Sequence, residues 1–185
     1  MFSKNIFICS WFVFAGIILF NQELVAAEKK EKILYDFCTN INQAKCENTA
    51  DTSVTWKRCS GKMKESIFQH PPIDVGKGPA KLTYSGIELP LPEKGEKLFL
   101  KLNIGMADAR WGKTEADGVC FIIKINDKEV FSKKYRKQKW CEQKIDLKDF
   151  AGQKVDITFM TDALKNSDYD WALWGKPRIV SEGKK

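Results

Sequence analysis

The sequence is poor in the residues from which catalytic centres and metal sites are usually built. Among its 185 residues there is a single histidine, His70. Its six cysteines include no Cys-x-x-Cys pair, the spacing typical of structural zinc sites. A Gly-x-Ser-x-Gly nucleophile elbow and a glycine-rich phosphate loop are both missing. These absences argue against zinc-thiolate chemistry and nucleophilic catalysis, and they favour a protein that is not an enzyme.

Arginine is also scarce, which bears on nucleic-acid binding. Beyond the first 27 residues the only arginines are Arg58, Arg110, Arg136 and Arg178, whereas lysines are scattered through the whole chain. Nucleic-acid sites gather arginine and aromatic residues on one patch, so a net charge of +7 spread in this way indicates a solvated surface. We predict no nucleic-acid partner, and only a weak, salt-sensitive attraction to anionic surface polymers.

The longest apolar run lies at the N-terminus. Lys4 precedes an apolar stretch from Ile6 to Phe20, and Val25-Ala-Ala27 supplies small residues at a cleavage point. This is the pattern of a secretory signal peptide, and the stretch is shorter than the ~20 apolar residues of a spanning helix. We predict that residues 1–27 are removed and that the mature protein is exported, periplasmic or extracellular, and not integral to the membrane. The competing interpretation is an uncleaved membrane anchor.

From about residue 52 onward the hydrophobic pattern repeats every two residues. The runs 98–104 and 119–125 place every second side chain, all apolar, on one face, as half-buried strands do. The pattern predicts roughly nine or ten short strands, and hence an all-β, two-sheet antiparallel sandwich of jelly-roll type. The predicted strands cover 33–37, 53–56, 66–69, 81–89, 97–104, 119–125, 129–131, 145–147, 155–159 and 171–180.

The chain downstream of the leader is long enough for one ordinary domain. We assign residues 57–180 to the sandwich and residues 28–56 to a cysteine-containing segment that leads into it. Residues 181–185 form a basic tail. No internal repeat and no second domain is predicted.

Five cysteines follow the leader, and an odd number leaves one unpaired in an oxidising compartment. We expect a disulfide between two of Cys38, Cys46 and Cys59. In a simple meander Cys120 and Cys141 would lie about 9.6 Å apart, beyond disulfide reach. They can pair only if the strand that carries Cys141 crosses to the other sheet.

Acidic, amide and aromatic side chains are concentrated between Asp162 and Val180. Aromatic faces stack on the C–H face of a sugar while carboxylates and amides bond its hydroxyls, so this composition favours a neutral polar ligand. Asp162, Asn166 and Asp168 also offer hard oxygen atoms of the kind that calcium takes, although not with EF-hand spacing. The alternative is that they cap the backbone amides of their own loop.

Strand alternation separates the two tryptophans of this stretch. Residues 171 and 173 point to one face of a regular strand, and residues 172 and 174 point to the other. We expect Trp171 to be buried beside Leu173 and Trp174 to lie nearer the surface, unless a bulge at Gly175 reverses them. The remaining tryptophans after the leader are predicted as core or edge packing at Trp56 and Trp140 and as exposed at Trp111.

Three segments, taken in order, are similar to a known family. The sequence contains SIFQHPP at 66–72, LNIGMAD at 102–108 and DYDWA at 168–172. Together they resemble the NPCBM-type carbohydrate-binding module in the divergent form found in bacterial exported proteins, over roughly residues 57–180. The resemblance implies a galactose-binding-like β-sandwich that binds glycans without catalysis, in some members with a structural calcium ion.

The resemblance also implies a ligand site at one end of the sandwich. His70 would stand at its edge and donate a hydrogen bond to a sugar hydroxyl; otherwise His70 is held by the two prolines that follow it and is bonded to a carboxylate. Asp108 would accept a hydrogen bond from the ligand, or is only a turn residue. The predicted ligand-binding residues are His70, Asp108, Trp111, Asp168, Tyr169, Asp170 and Trp174.

Three functions compete on this sequence. The first is a non-catalytic exported protein that binds a glycan or a cell-surface polysaccharide. The second is a structural module of the cell envelope that has the same fold, lacks a sugar site and contacts another protein. The third is a glycoside hydrolase using Asp108 and Asp170, but nothing in the sequence indicates the carboxylate separation of about 5 to 9 Å that this chemistry needs. An exposed tryptophan pair favours the first function, and a lysine-rich sheet with both tryptophans buried favours the second.

Overall fold

The computed structural model describes residues 30–108 and 116–183, and this part of the chain is almost entirely β-structure. It contains eleven strands and three short 3-10 turns, and within these two ranges there is no α-helix. No helix of the described residues is long and apolar enough to span a membrane. The strands are β1 (Lys30–Asp36), β2 (Ala44–Glu47), β3 (Asp51–Cys59), β4 (Lys62–His70), β5 (Ala80–Glu88), β6 (Lys97–Met106), β7 (Val119–Ile125), β8 (Lys128–Tyr135), β9 (Cys141–Asp146), β10 (Lys154–Ala163) and β11 (Ala172–Gly183).

The strands form two antiparallel sheets. The six-stranded sheet has the order β3-β4-β11-β6-β9, with β1 also paired to β11, and the five-stranded sheet has the order β2-β5-β10-β7-β8. The predicted all-β, two-sheet antiparallel sandwich is confirmed. Each predicted strand overlaps an observed one, and β2 is the strand that the sequence pattern missed.

The main core lies between the two sheets. Alternate residues of the central strands point inward and are almost fully buried, as the period of two predicts. These residues are Leu98, Leu100, Leu102 and Ile104 of β6, Val119, Phe121, Ile123 and Ile125 of β7, and Val155, Ile157 and Phe159 of β10. Removing this apolar surface from water is the main stabilising contribution to the fold.

Both ends of the described chain belong to the sandwich. Segment 28–56, predicted to lead into the domain, supplies β1, which pairs with β11, β2, which pairs with β5, and most of β3. The predicted basic tail, 181–185, overlaps β11, and Glu182 in it is buried. The hydrophobic pattern does not show β2 because it is an edge strand with mostly exposed side chains.

The disulfide expected among the first three cysteines after the leader is not formed. Cys38, Cys46 and Cys59 are free thiols. Cys46 lies on β2 of the five-stranded sheet and Cys59 ends β3 of the six-stranded sheet, while Cys38 follows β1. Burial raises the pKa of the Cys38 and Cys59 thiols to about 12, in each case with a nearby carboxylate adding to the rise. These two buried thiols therefore behave as small apolar side chains.

Cys120 and Cys141 lie on opposite sheets, so the condition that the sequence analysis gave for a disulfide between them is met. Cys120 is on β7 and Cys141 is on β9. Both are nevertheless free. The Cys120 sulfur is 3.6 Å from Ser132 Oγ, and the Cys141 sulfur accepts a hydrogen bond from Lys133 Nζ at 3.4 Å.

A second hydrophobic cluster covers the outer face of the six-stranded sheet. It consists of Cys59, Phe68, Ala107 and Leu173, with Trp140 and Trp171 packed against it. We call this group the outer cluster. Where β4, β11 and β6 lie side by side, the runs 66–69, 172–175 and 104–107 are continuously buried, so both faces of the sheet are covered there. Trp140 lies so close to the sheet that a Cβ at Gly175 would be 2.8 Å from its ring, and this position therefore requires glycine.

The structure buries Trp174 in the main core, contrary to the expectation, and leaves Trp171 only half-buried beside Leu173. Trp174 is 0% exposed, and its indole packs edge-on against Phe121 and Phe159 at centroid distances of 4.8 and 5.1 Å. Trp171 is half-buried against the outer cluster, on the same side as Leu173. The expectation was wrong because it assumed one buried face, whereas β11 buries Leu173 on one face and Trp174 on the other.

We predict that Trp174→Ala lowers the free energy of unfolding by about 3–5 kcal/mol, the usual cost of truncating a buried aromatic residue. The matched control is Trp56→Ala, because Trp56 is 58% exposed on the edge strand β3 and should change stability by less than about 1 kcal/mol. Urea denaturation of both variants checks this. Equal losses at the two positions would contradict the described packing.

Candidate functional site

Several loops meet at one end of the sandwich. Ala172, the first residue of β11, lies opposite both Gln69 of β4 and Met106 of β6. The segments that adjoin these strand ends are bonded to one another: Ser167 Oγ donates to the Ile73 carbonyl at 3.4 Å. We call this region the loop end. It comprises residues 70–79, 107–108, 116–118 and 164–171.

An aromatic pair lies at the loop end, with one ring exposed and the other half-buried. Tyr169 is 46% exposed, and its ring meets that of Trp171 in an edge-on contact with centroids 5.9 Å apart. Tyr169 has a φ of 59°, a conformation uncommon for residues other than glycine; the Trp171 amide donates to the Tyr169 carbonyl at 2.7 Å. Ile73, on the segment bonded to this loop, is 81% exposed. Tyr169 thus presents an exposed ring to solvent, and it is backed by Trp171, which packs against the outer cluster.

His70 is the last residue of β4 and lies at the edge of the loop end. Its Nδ1 is 2.6 Å from the Pro71 carbonyl. Because a carbonyl can only accept, Nδ1 carries the hydrogen. Neutral His70 therefore presents Nε2 as an acceptor, whereas the resemblance implied a donor. The alternative interpretation expected His70 to bond a neighbouring carboxylate, and the structure has a backbone carbonyl in that place.

Asp108 holds a hairpin turn. Its two carboxylate oxygens accept hydrogen bonds from the amides of Ser60 and Gly61 at 2.7 and 3.0 Å, and its own amide donates to the Arg58 carbonyl at 2.9 Å. Ser60 and Gly61 have φ values of 52° and 72°, as the two-residue turn of a tight β-hairpin requires. Asp108 thus fixes the tip of the β3–β4 hairpin against the end of β6, which is the turn role rather than contact with a ligand.

We predict that Asp108→Ala lowers the free energy of unfolding by about 1–3 kcal/mol, because two turn amides lose a charged acceptor. Hydrogen exchange should become faster at Ser60 and Gly61 in particular. Asp168→Ala, at an exposed position of the same end, is the control and should leave this exchange unchanged. If hydrogen exchange at Ser60 and Gly61 were unchanged in Asp108→Ala, the role of Asp108 in holding this turn would be contradicted.

The three residues predicted as metal ligands, Asp162, Asn166 and Asp168, differ in their positions and contacts. Asn166 uses its Oδ1 to accept a hydrogen bond from the Asp168 amide at 2.8 Å, so it caps its own loop, as the alternative proposed. Asp162 lies on β10 opposite Cys120. Among residues 30–108 and 116–183 no group of three or more His, Cys, Asp or Glu side chains is arranged to hold a metal ion. The predicted ligand residue Trp111 lies outside the described residues.

Asp170 pairs with a residue that the sequence analysis did not single out, Asp117. Asp170 is 0% exposed, and its Oδ1 accepts from the Gly118 amide at 3.2 Å. Asp117 Oδ2 accepts from the Lys165 amide at 2.9 Å. The two carboxylates therefore tie the segment before β7 to the β10–β11 loop. An Asp-Gly pair ahead of a strand was the only sequence signal for Asp117, and it is a common turn signal.

Burial, together with the nearby charge of Asp117, raises the pKa of Asp170 to about 7, although the hydrogen bond from the Gly118 amide acts in the opposite direction. The carboxyl group is buried away from solvent, so it is not available to a ligand in the way that the sequence analysis expected. Trp174 is likewise removed from the ligand-binding set by its burial in the main core. Of the predicted set, Tyr169, Asp168 and His70 remain at the surface of the loop end.

The raised pKa predicts a pH-dependent stability. The unfolded chain titrates Asp170 near the ordinary value of 3.8, and the folded chain does so near about 7. The contribution of Asp170 is fully present below a pH of about 4 and is lost as the pH rises through about 7. Urea unfolding between a pH of about 4 and about 7, in a buffer with a chelator, should show this loss of stability in the wild-type protein and not in Asp170→Asn. Parallel profiles for the two proteins would contradict it.

No protein-family model matches the chain. A protein of Archaeoglobus fulgidus, described as an uncharacterized protein, is 31% identical over 129 residues, which are 63% of this chain and 31% of that protein. The chain thus spans about a third of the length of this relative.

Solved structures share the fold. The structure of the M60 catalytic domain with the CBM51-1 and CBM51-2 domains of Clostridium perfringens ZmpB matches with a TM-score of 0.52 and 13% identity, covering 81% of this chain and 15% of that one. An apo cyclase from Fischerella sp. also gives 0.52 at 13% identity, covering 89% of this chain and 93% of that one. The CBM51-2 and INT domains of ZmpB give 0.50 at 14% identity, with 82% and 31% covered. The β-sandwich of this chain is therefore of a known kind, one that occurs in both binding and catalytic proteins.

Proposed function

We propose that this protein binds a carbohydrate, without catalysing a reaction on it, through the loop end of its sandwich. The observation that carries the proposal is the exposed ring of Tyr169 in contact with the half-buried ring of Trp171, with centroids 5.9 Å apart, on the β10–β11 loop. The leader pattern in residues 1–27 supports a site of action outside the cytoplasm, in the periplasm or beyond the cell. The ligand is then a free glycan or a cell-surface polysaccharide.

The loop end has the chemistry that a sugar needs. Tyr169 offers a ring face and a hydroxyl, and Trp171 supports it edge-on, so the platform is rigid before the ligand arrives. The exposed carboxylate of Asp168 and Nε2 of neutral His70 are acceptors for sugar hydroxyls. Carbohydrate-binding domains among the solved structures with this fold agree with such a role.

The carboxylates of the loop end do not suit glycoside hydrolysis. The hydrolase interpretation needs Asp108 and Asp170 as a solvent-facing pair. Asp108 is engaged by two turn amides, and Asp170 is fully buried. A substrate at the ring pair would reach neither carboxylate, which favours binding without catalysis.

A glycan panel tests the proposal. Tyr169→Ala should weaken binding about tenfold, which corresponds to about 1.4 kcal/mol, because the exposed ring face is lost. Trp171→Ala should weaken it as well, with thermal melting showing that the variant still folds. Trp56→Ala is the matched control, since it removes an exposed aromatic ring from β3 and should leave glycan binding unchanged. A folded wild-type protein that binds nothing on a broad panel would overturn the proposal.

A second function is favoured by one specific observation. Trp56 and Met63, 58% and 52% exposed, are diagonal neighbours across the β3–β4 hairpin, because Trp56 lies opposite Glu65 and Met63 lies opposite Arg58. Exposed apolar side chains on an edge hairpin are typical of a protein contact. An envelope protein that binds the wild-type chain but not Trp56→Ala, together with a negative glycan panel, would favour this interaction role.

A further inference from the structure

The edge of the five-stranded sheet that β2 forms is open to solvent. β2 is the first strand in the order β2-β5-β10-β7-β8, and among the described strands it pairs with β5 alone. Lys45, Cys46 and Glu47 on it are exposed. An unpaired edge is a template for another strand, and proteins commonly guard such edges with lysines. β8, at the other edge of this sheet, carries three lysines against one glutamate, whereas β2 carries one of each.

The charges of β2 are complementary to those of a second, antiparallel β2. A two-fold axis through Cys46 places Lys45 of each copy opposite Glu47 of the other. Opposite charges in directly facing positions stabilise an antiparallel pair, and like charges destabilise it. An axis through Lys45 or through Glu47 would put like charges face to face. Lys45 and Glu47 already lie on one face of β2, where Nζ and Oε1 are 3.0 Å apart, so both side chains are on the face that the cross-strand pairs need.

We propose that this edge docks a second copy of the chain, with the two β2 strands antiparallel about Cys46, and that a disulfide between the two Cys46 residues closes the dimer. Directly opposite residues of an antiparallel pair have Cα atoms about 4.5–5.5 Å apart, within the separation of about 4.4–6.8 Å that a disulfide bridges. Cys46 is the only exposed cysteine among the described residues. An odd number of cysteines in an exported chain is typical of pairing between molecules.

The disulfide forms by thiol–disulfide exchange with a small disulfide such as oxidised glutathione. The Cys46 thiolate of one copy attacks that disulfide and expels one glutathione thiolate, and the Cys46 thiolate of the second copy attacks the resulting mixed disulfide and expels the other. Two protein thiols are thereby oxidised, and one small disulfide is reduced to two thiols. The bridge is needed because a stable interface usually takes about 20–30 residues from each partner, whereas β2 has four.

The two-fold axis points the loop ends of the two copies in opposite directions. β2 runs toward the loop end, since Glu47 lies opposite Lys81 near the start of β5, and the antiparallel β2 of the second copy runs the other way. If the loop end binds a glycan, which rests on the function proposed above, the dimer joins two separate glycan chains or surfaces. It does not place two sites on one surface.

Non-reducing electrophoresis of the full chain, incubated with oxidised glutathione in a mildly alkaline buffer, tests the dimer. We expect a species of twice the chain mass that dithiothreitol returns to the monomer. Cys46→Ser should abolish this species. Cys120→Ser, at a half-buried thiol on β7, is the matched control and should retain it. A dimer that persists in Cys46→Ser, or a wild-type chain that ends as a monomer carrying glutathione on Cys46, would overturn the proposal.

Charge exchange on β2 separates a paired edge from an exposed thiol that reacts by chance collision. Lys45→Glu and Glu47→Lys should each slow dimer formation by about threefold to tenfold, because each places like charges opposite one another across the axis. The Lys45→Glu, Glu47→Lys double variant should recover the wild-type rate. A charge effect on the thiol alone would move the two single variants in opposite directions, and that result would overturn the strand pairing. No readout involves a sugar, so this test and the glycan panel fail independently.

Discussion

The packing of Trp174 between the sheets is the contact on which the rest of this structure depends. Its ring meets Phe121 and Phe159 of the opposite sheet, and its Nε1 donates to Gln69 Oε1 at 2.9 Å. Gln69 Nε2 in turn lies 3.5 Å from the Phe159 carbonyl of the opposite sheet, at the limit of a hydrogen bond. A buried indole N–H needs a partner, and Gln69 supplies it. The same side chain links β4 and β11 of one sheet to β10 of the other, which fixes the position of the sheets relative to each other.

The fixed position of β11 determines where the loop end lies. Because β11 is fixed by Trp174, the residues just before it, Tyr169 to Trp171, leave the sheet at a defined point and meet the ends of β4 and β6. The Ala107 amide donates to the Trp171 carbonyl at 2.9 Å, which continues the pairing one step past the strand. The outer cluster then supports Trp171 from the sheet side. A surface built in this way is preorganised, so little conformational freedom is lost when a ligand binds.

Local sequence patterns located every described strand except β2 but were insufficient for the site. Period-two alternation located β6 and β7 because each buries one face against the main core. It failed at Trp174, since the outer cluster buries the opposite face as well, and no local pattern shows that the β3–β4 hairpin tip reaches the end of β6. The contact that does so joins Asp108 to Ser60 across 48 residues. Asp117 was missed for the same reason, because its partner is known only once β7 and β10 are seen to be neighbours.

The carboxylates of the loop end differ in how completely their oxygen atoms are hydrogen-bonded. Asp108 is a carboxylate whose oxygens are both satisfied by amides, and it completes the hairpin without any other partner. Asp117 and Asp170 each leave one oxygen unsatisfied, on the very loop that exposes Tyr169. Buried polar groups in folded proteins are almost always paired, so the two unsatisfied oxygens distinguish the β10–β11 loop from the hairpin, where both carboxylate oxygens of Asp108 are satisfied.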